Sequence, residues 1–343
     1  MFKNKTTWIV GIIVFAMVAP NLLKCLQNDP PSVNTVAPPP AAKVAYPEVK
    51  ETFNADAAYA LTEKLLTFGQ RHFDTKGHEA VRQWLVSELK NRGASVLEQP
   101  FKAKTPAGKE TNCANIIASY NLDNPKRVLF AVHWDSRHTG DRDPDPKLQK
   151  EPILGADDAG TGVGILLEMA AMLQKDSSHL GVDLIFFDAE DWGTNQTSES
   201  WCQGSQYWAR TPHKPSYRPK HAILLDMVGA KNARFPKEQI SMQRAPTTVE
   251  NVWKTARQLG YMQLFVDEPS KDAVIDDHKF VNEIAGIPMI DIINYPADRF
   301  LAEYHHTHLD NGMNHIDKST MRAVGQTLWC FLHYDDAGVF NGD

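Results

Sequence analysis

Three short runs of almost purely apolar residues most constrain what this chain can fold into. The runs are Arg127–His133, Val182–Asp188 and Ala222–Met227, and none alternates between apolar and polar residues. Such runs are typical of strands that are covered on both faces, as in largely parallel sheets. Because helical patterns lie between the runs, we predict an α/β fold with a mixed, largely parallel central sheet that is flanked by helices on both faces.

The rest of the body carries apolar residues at helical spacing and two further strand patterns. Gly93, Gly260 and Gly286 follow three of the helical patterns and indicate where those helices end. Helices are predicted over Ala57–Phe68, His78–Arg92, Gly160–Leu173, Thr248–Leu259, Asp277–Ala285 and Ser319–Tyr334, and strands over Asn115–Tyr120 and Pro288–Ile293.

Composition excludes several other classes of protein. The 343 residues are 42% hydrophobic and 23% charged, which argues against a wholly disordered chain or a collagen-like fibre. Lys and Arg number 36 against 42 Asp and Glu, giving a net charge of −6. Nucleic acid favours a basic face, so we expect no nucleic-acid partner. Four cysteines are too few for a disulfide framework.

The N-terminal residues are predicted to lie outside the fold. Lys3 and Lys5 precede an apolar run from Trp8 to Val18, which is the pattern of an export signal and is short for a spanning helix. We predict a signal peptide or an uncleaved signal anchor over 1–25, a proline-rich linker over 26–52 and a single domain over 53–343. The body is expected in the periplasm, or anchored facing it, if the source is bacterial, and otherwise in the secretory pathway. Contact with a membrane is expected only through the uncleaved segment.

Carboxylates and histidines collect where the predicted strands end. His133 ends the first apolar run, Glu190 and Asp191 follow the second, Asp226 lies at the end of the third, and Asp158 opens a helix. Ligands of open α/β sheets bind at the carboxyl ends of strands, and converging carboxylates need a positive charge among them. A divalent cation supplies it. Mixed histidine and carboxylate ligands without cysteine suit catalytic zinc better than calcium or magnesium.

Several short motifs resemble one zinc exopeptidase superfamily, which contains co-catalytic zinc aminopeptidases and the secretory-type glutaminyl cyclases (glutaminyl-peptide cyclotransferases). Their order and spacing carry the resemblance, which covers about residues 53 to 335. The motifs are Phe68–His72, His133–Ser136, Gly155–Asp158, Phe186–Asp191, Leu225–Gly229, Asp276–His278 and His306–Thr307. The versions at Leu184–Asp188, Leu224–Ala230 and Gly286–Pro288, together with Gly204-Ser205, are more similar to the cyclases.

The resemblance implies a zinc-dependent catalytic domain with defined residue roles. Asp158, Asp191 and His306 would be the zinc ligands, and Glu190 the general acid and base. Asp226 and Asp276 would be catalytic neighbours in a carboxylate network. His133 and Asp226 would become metal ligands only if a second metal binds, and one zinc ion per chain is the expectation that the cyclases imply.

The implied reaction converts the N-terminal glutamine of peptides and proteins to pyroglutamate with release of ammonia. The alternatives are a zinc aminopeptidase with one or two zinc ions and a non-catalytic relative that acts as a binding domain. A monomer is expected. Candidate substrate-binding residues are Trp192, Trp134, Phe300 and His305, with Trp201 and Leu301 as further candidates, and the loop from Arg137 to Pro152 is expected to border the pocket.

Two kinds of position depart from the animal cyclases. Asp191 stands where the third zinc ligand is often glutamate, and His305 stands where those enzymes have tryptophan before the ligand histidine. The disulfide of the animal enzymes has no counterpart. Cys113, Cys202 and Cys330 are therefore expected to be small core residues, with a Cys113–Cys202 bond as the alternative.

Overall fold

The structure, a computed structural model, describes residues 45–176, 178–194 and 196–341. The predicted signal segment and most of the predicted linker lie outside the described residues. At the end of that linker, Tyr46 packs against Tyr334 with 4.9 Å between the ring centres, and Phe53 is fully buried. Within the described residues, no helix has both the length and the apolarity to cross a bilayer.

A six-stranded mixed sheet forms the centre of the fold. Its strands are β1 (Ser95–Lys104), β2 (Glu110–Tyr120), β3 (Arg127–His133), β4 (Gly181–Phe187), β5 (His221–Asp226) and β8 (Met289–Ile293). They lie in the order β1-β2-β4-β3-β5-β8. The pairs β1–β2 and β2–β4 are antiparallel, whereas β4–β3, β3–β5 and β5–β8 are parallel. The predicted mixed, largely parallel sheet is confirmed.

Helices cover both faces of this sheet. They are α1 (Ala55–Leu66), α2 (Lys76–Asn91), α3 (Gly162–Lys175), α4 (Gln203–Arg210), α5 (Gln239–Arg244), α6 (Pro246–Gln258), α7 (Asp277–Phe280) and α8 (Lys318–Asp336). Along β3, Val128 and Phe130 belong to one apolar cluster, and Leu129 and Ala131 belong to the cluster on the other face. Successive strand residues point to opposite faces, so a sheet covered on both sides makes the strand apolar throughout.

Several elements were not predicted from the sequence. These are β1, α4, α5 and a separate parallel pair formed by β6 (Phe235–Lys237) and β7 (Phe265–Pro269). Most of them lack a strong apolar signal; β1, for example, is an edge strand whose residues are mostly exposed or half-buried.

Two predicted helices are also irregular in ways that place site residues. The predicted Asp277–Ala285 helix is one α-helical turn followed by a π-helical segment, Val281–Ala285. The predicted Gly160 helix begins at Gly162 and follows another π-helical segment, Ala156–Thr161. Within that segment Asp158 and Ala159 leave the helical conformation, and the peptide bond between them is cis.

Candidate active site and metal centre

The carboxyl ends of the parallel strands carry the predicted site residues. His133 is the last residue of β3, Asp226 is the last residue of β5, and Glu190 and Asp191 follow β4. His306 lies in the segment after β8. Ala189, Met227 and His306 all have a positive φ, between 49° and 57°, which few residues with side chains adopt. Backbone of this kind turns the chain sharply at the strand ends and directs neighbouring side chains toward one another.

The three predicted zinc ligands lie together. His306 Nε2 is 3.1 Å from Asp191 Oδ1 and 3.8 Å from Asp158 Oδ2. Asp158 Oδ2 and Asp191 Oδ2 are buried, and neither accepts a hydrogen bond. Buried carboxylate oxygens are costly without a donor or a cation. Two carboxylates and one imidazole that converge in this way fit a zinc ion with an open fourth position.

A second set of metal-ligating atoms shares Asp158. His133 Nε2 lies 3.1 Å from Asp158 Oδ1 and 3.6 Å from Asp226 Oδ1. One ligand atom from each of His133, Asp158 and Asp226 falls within 4.8 Å of the others. His305 also approaches, with Nε2 3.9 Å from Asp158 Oδ2. The described residues therefore offer ligands for one cation or for two.

Glu190 lies between the metal ligands and a group of further carboxyls. Its Oε1 accepts a hydrogen bond from the thiol of Cys202 at 3.1 Å. Burial raises the pKa of the Glu190 carboxyl well above its ordinary value, and although His133 opposes the shift, Asp191 and Asp276 add to it. A carboxyl group with a raised pKa can both accept and return a proton near neutral pH.

Asp226 and Asp276, predicted as catalytic neighbours, are both buried and line the same cavity as Glu190. One ligand atom from each of Asp276, Glu190 and Cys202 lies within 4.8 Å of the others. Burial raises the pKa of Asp226 well above its ordinary value, and the nearby Asp158 carboxylate raises it further. Burial also raises the pKa of Asp276. The arrangement is consistent with the predicted carboxylate network, whose role in turnover stays a prediction.

Buried polar side chains fix the loops that carry the ligands. Asp135 accepts the main-chain N–H groups of Glu190 and Asp191 at 3.1 and 3.0 Å. Asp310 does the same for Asp157 and Asp158 at 2.8 and 3.2 Å. Each loop is thereby tied to a different part of the chain, so that the positions of the ligands do not depend on the loops alone.

His306 is held by neighbours whose contact with it was not predicted from the sequence. Its Nδ1 lies 3.3 Å from Asp141 Oδ1, and the ring of Trp201 stacks on it at 5.8 Å and 9°. Burial lowers the pKa of His306, but Asp191 and Asp141 outweigh it and raise the pKa to about 9. Asp141 is held in turn by Arg137 at 2.9 Å. The sequence signals for these residues were that the loop from Arg137 was expected to border the pocket and that Trp201 was a further substrate-binding candidate.

A cavity of about 480 Å³ opens onto Glu190 and the metal ligands. Among the predicted substrate-binding residues, Phe300 and His305 line this cavity, as do Leu301 and Trp201. The structure does not bring Trp134 and Trp192 to it. Trp134 is fully buried and stacks on His78 at 4.5 Å, whereas Trp192 is 1% exposed and packs edge-on against Phe73.

The three cysteines in the described residues are free and buried. The disulfide alternative between Cys113 and Cys202 is therefore not what the structure has. Burial raises the pKa of both thiols, so both keep their protons at neutral pH.

The fold and the site together define a zinc-peptidase type of enzyme, and comparison with known proteins agrees. The family model "Peptidase family M28" matches residues 115–332, which is more than half of the chain. The chain belongs to this family.

Solved structures and curated proteins place the chain beside the cyclases of the family. It is similar to a Zn-dependent exopeptidase from Parabacteroides distasonis, with 45% identity, a TM-score of 0.80 and coverage of 83% of this chain and 99% of that one. It is also similar to Porphyromonas gingivalis glutaminyl cyclase, with 42% identity, a TM-score of 0.81 and coverage of 83% and 99%. A glutaminyl-peptide cyclotransferase from Bothrops jararaca is 28% identical over 77% of each chain. The resemblance to glutaminyl cyclases within the zinc exopeptidases is confirmed.

Proposed function

We propose that this chain is a zinc-dependent glutaminyl-peptide cyclotransferase, which converts the N-terminal glutamine of peptides and proteins to pyroglutamate and releases ammonia. The observation that carries the proposal is the position of Glu190, which lines the cavity directly beside the ligand set of Asp158, Asp191 and His306. The similarity to glutaminyl cyclases, which extends over most of the chain, supports the same reaction.

Asp158, Asp191 and His306 would hold one zinc ion per chain. Their buried oxygens without hydrogen-bond donors support this ligand set. When bound, zinc would act as a Lewis acid that polarises the γ-carbonyl of the glutamine side chain.

Glu190 would move the protons of the reaction. The α-amine of the substrate attacks its own γ-amide carbon, a new C–N bond closes the five-membered ring, and the bond to the amide nitrogen breaks. Glu190 takes a proton from the attacking amine and delivers one to the leaving nitrogen, which departs as ammonia. Such proton transfer contributes roughly 10²–10⁴-fold in rate. Asp276 assists by keeping the pKa of Glu190 raised, and Asp226 would act as its neighbour in the carboxylate network.

The cavity wall would hold the glutamine side chain. Phe300 and Leu301 supply apolar surface, and His305 and Trp201 stand beside the ligand His306. Trp134 and Trp192 lie outside the cavity, where both rings pack against His78 of helix α2. The reacting amine and amide belong to one residue, so the enzyme has only to fold that residue onto itself.

A zinc aminopeptidase is the second candidate, and the set of His133, Asp158 and Asp226 is the observation that favours it. Glu190 would then accept a proton from water that attacks the first peptide bond. Incubating the protein with a glutaminyl peptide and with an alanyl peptide separates the two functions. Ammonia with an intact peptide chain is expected, and release of the first amino acid would overturn the proposal. One zinc ion per chain is expected, against two for the aminopeptidase.

The enzyme would act outside the cytoplasm as a monomer. Lys3, Lys5 and the apolar run Trp8–Val18 support export. Sequencing the N-terminus of the protein from cell fractions tests this: a start beyond residue 19 means cleavage, and an intact start in the membrane fraction means an anchor. Recovery of the intact chain from the cytoplasm would contradict export.

A further inference from the structure

Cys202 is joined to Glu190 through both side chain and main chain. Its Sγ lies 3.1 Å from Glu190 Oε1, and its backbone N–H donates to the carbonyl oxygen of Glu190 at 2.8 Å. Within the described residues, no other hydrogen bond reaches the Glu190 carboxyl group. The thiol is therefore the donor that can select one orientation of this carboxyl group.

The backbone of Cys202 supports a specific role for this side chain. Its φ is 54°, in the left-handed region that glycine adopts without strain, and it stands immediately before α4. A glycine here would relieve backbone strain of roughly 1 kcal/mol but would remove the donor. The side chain of Cys202 is also fully buried, so contact with solvent does not explain why cysteine stands here instead of glycine.

We infer that Cys202 is a positioning residue that fixes one oxygen of Glu190 and so turns the other toward the substrate amine. This inference rests on the proposed function, because it assigns Glu190 its proton-transfer role. Neither Asp158, Asp191 nor His306 contacts the thiol through a hydrogen bond. Zinc content and substrate affinity should therefore be independent of Cys202.

Three variants at this position test the inference. Cys202→Ala and Cys202→Gly remove the donor, and glycine also suits the φ of 54° at this position; we expect kcat to fall about tenfold in both, with KM and zinc per chain unchanged. Cys202→Ser restores a donor and should stay within about threefold of wild-type kcat. Cys330→Ala, which removes another buried free thiol in α8, is the control and should not change kcat.

Two outcomes would overturn the role of Cys202. One is wild-type kcat in both Cys202→Ala and Cys202→Gly, and the other is a Cys202→Ser enzyme as slow as Cys202→Ala. Thermal unfolding of every variant distinguishes a loss of folding from a loss of positioning. If the alanine variant does not fold, the ratio of kcat between the serine and glycine variants tests the role instead. The wild-type rate on the glutaminyl peptide tests the proposed function separately from these ratios.

Arg142 supports a second, independent inference, at the rim of the same cavity. Its backbone N–H donates to the carbonyl oxygen of His306 at 3.2 Å, its Nη1 lies 2.6 Å from His305 Nδ1, and its guanidinium lies 6.0 Å from the ring centre of Phe300. The side chain is exposed. No carboxylate of the described residues forms an ion pair with it, and the adjacent Asp141 is held by Arg137 and His306.

The charge on the cavity wall is arranged in two zones. Carboxylates form the floor, at Asp158, Glu190, Asp191, Asp226 and Asp276. Arg142 is the one lysine or arginine on the wall within the described residues. The first residue of a substrate must reach Glu190, so the rest of the peptide leaves by the rim, past Arg142 and the exposed side chains of Ile275 and Phe300.

We propose that Arg142 is a specificity residue that favours peptides with an acidic second residue after the glutamine. This also rests on the proposed function. An exposed ion pair is worth about 1.5- to fivefold in affinity, so we expect about a threefold preference in kcat/KM for Gln-Glu over Gln-Ala peptides and a matching penalty for Gln-Lys peptides. The preference should weaken with added salt.

The test compares wild type, Arg142→Gln and Arg299→Gln on three peptides that differ only in the second residue. Arg299 is exposed and paired with Asp298, so its variant removes a nearby positive charge as a control. We expect the preference to disappear in Arg142→Gln and to persist in Arg299→Gln, with kcat on the Gln-Ala peptide unchanged in Arg299→Gln. Equal kcat/KM on all three peptides in wild type, or an unchanged order in Arg142→Gln, would overturn this inference. No ammonia from any peptide would instead contradict the proposed function.

Discussion

Two buried aspartates near opposite ends of strand β4 have contrasting surroundings. Near the amino end, Asp183 accepts hydrogen bonds from Arg127 Nε at 2.6 Å, Tyr217 OH at 2.6 Å and Ser119 Oγ at 2.5 Å. Beyond the carboxyl end, Asp191 has two buried oxygens that accept no hydrogen bond. The same residue type therefore accepts several hydrogen bonds at one end, whereas at the other its close partner is His306, which is itself a proposed zinc ligand.

The pKa values of Asp183 and Asp191 shift in opposite directions. Burial alone would raise the pKa of Asp183, but His213, Arg127 and Ser119 outweigh it and hold the pKa below its usual range. Burial raises the pKa of Asp191, and although His306 opposes the shift, the nearby Asp158 adds to it. Asp183 has several close donors that compensate its burial, whereas Asp191 faces His306 Nε2 at 3.1 Å and lies near a second carboxylate, an arrangement that costs stability and is retained for chemistry.

Replacing Asp191 is expected to have the largest effect. Asp191→Ala removes one of three zinc ligands, so we expect zinc to be lost on dialysis and cyclisation to fall below detection. The folded state should persist, because His306, the close partner of Asp191, keeps its second contact with Asp141. Zinc content after dialysis and the thermal unfolding of the metal-free protein check both parts. A variant that keeps one zinc ion per chain would show that Asp191 is not a ligand.

Glu190→Gln should have the next largest effect and should separate proton transfer from metal binding. Glutamine keeps the shape of the side chain but cannot carry the proton, so we expect kcat to fall roughly 10²–10⁴-fold. Zinc per chain and KM should stay near their wild-type values, since Glu190 is not among the proposed ligands. Near-normal turnover would remove the acid and base role from Glu190.

Replacing Asp183, near the amino end of β4, is expected to change stability and not activity. Asp183→Asn should lower the free energy of unfolding by about 3–5 kcal/mol, because it leaves the buried guanidinium of Arg127 without its anionic partner. Zinc content and kcat of the folded fraction should not change. Denaturant unfolding of the zinc-loaded protein measures the loss, with Asp298→Asn, an exposed aspartate, as the control. A free energy of unfolding equal to that of wild type would contradict the contrast between Asp183 and Asp191, because it would show that the partners of Asp183 do not stabilise the fold.

The sequence predicted the proposed metal ligands better than the residues that line the cavity. Asp158, Asp191 and His306 were predictable as neighbours because the carboxyl ends of parallel strands meet on one edge of a sheet. The choice among tryptophans was not predictable. Trp192 directly follows a ligand, yet the chain turns at Ala189, and the Trp192 ring packs inward on Phe73, whereas Trp201, nine residues later in sequence, stacks on His306. Whether a tryptophan side chain faces the cavity or the core depends on packing between segments that are distant in sequence. Local sequence spacing does not encode that packing.

The smallest expected effect is the part of the pH dependence of the free energy of unfolding that arises from Asp183. Its pKa is lowered in the folded state from the ordinary value of 3.8. The folded state therefore binds this proton less readily than the unfolded chain, and the stabilisation is fully present above pH 3.8 and is lost as the pH falls below it.

The free energy of unfolding, measured by denaturant at pH 7 and at several values below 4, should thus fall more steeply for wild type than for Asp183→Asn, which has no carboxyl group to protonate. The gap between the two proteins should narrow as the solution becomes more acidic. A gap that stays constant down to pH 3 would mean that the pairing with Arg127 does not lower the pKa of Asp183. The amino end of β4 would then be no better satisfied electrostatically than the end that holds the ligands.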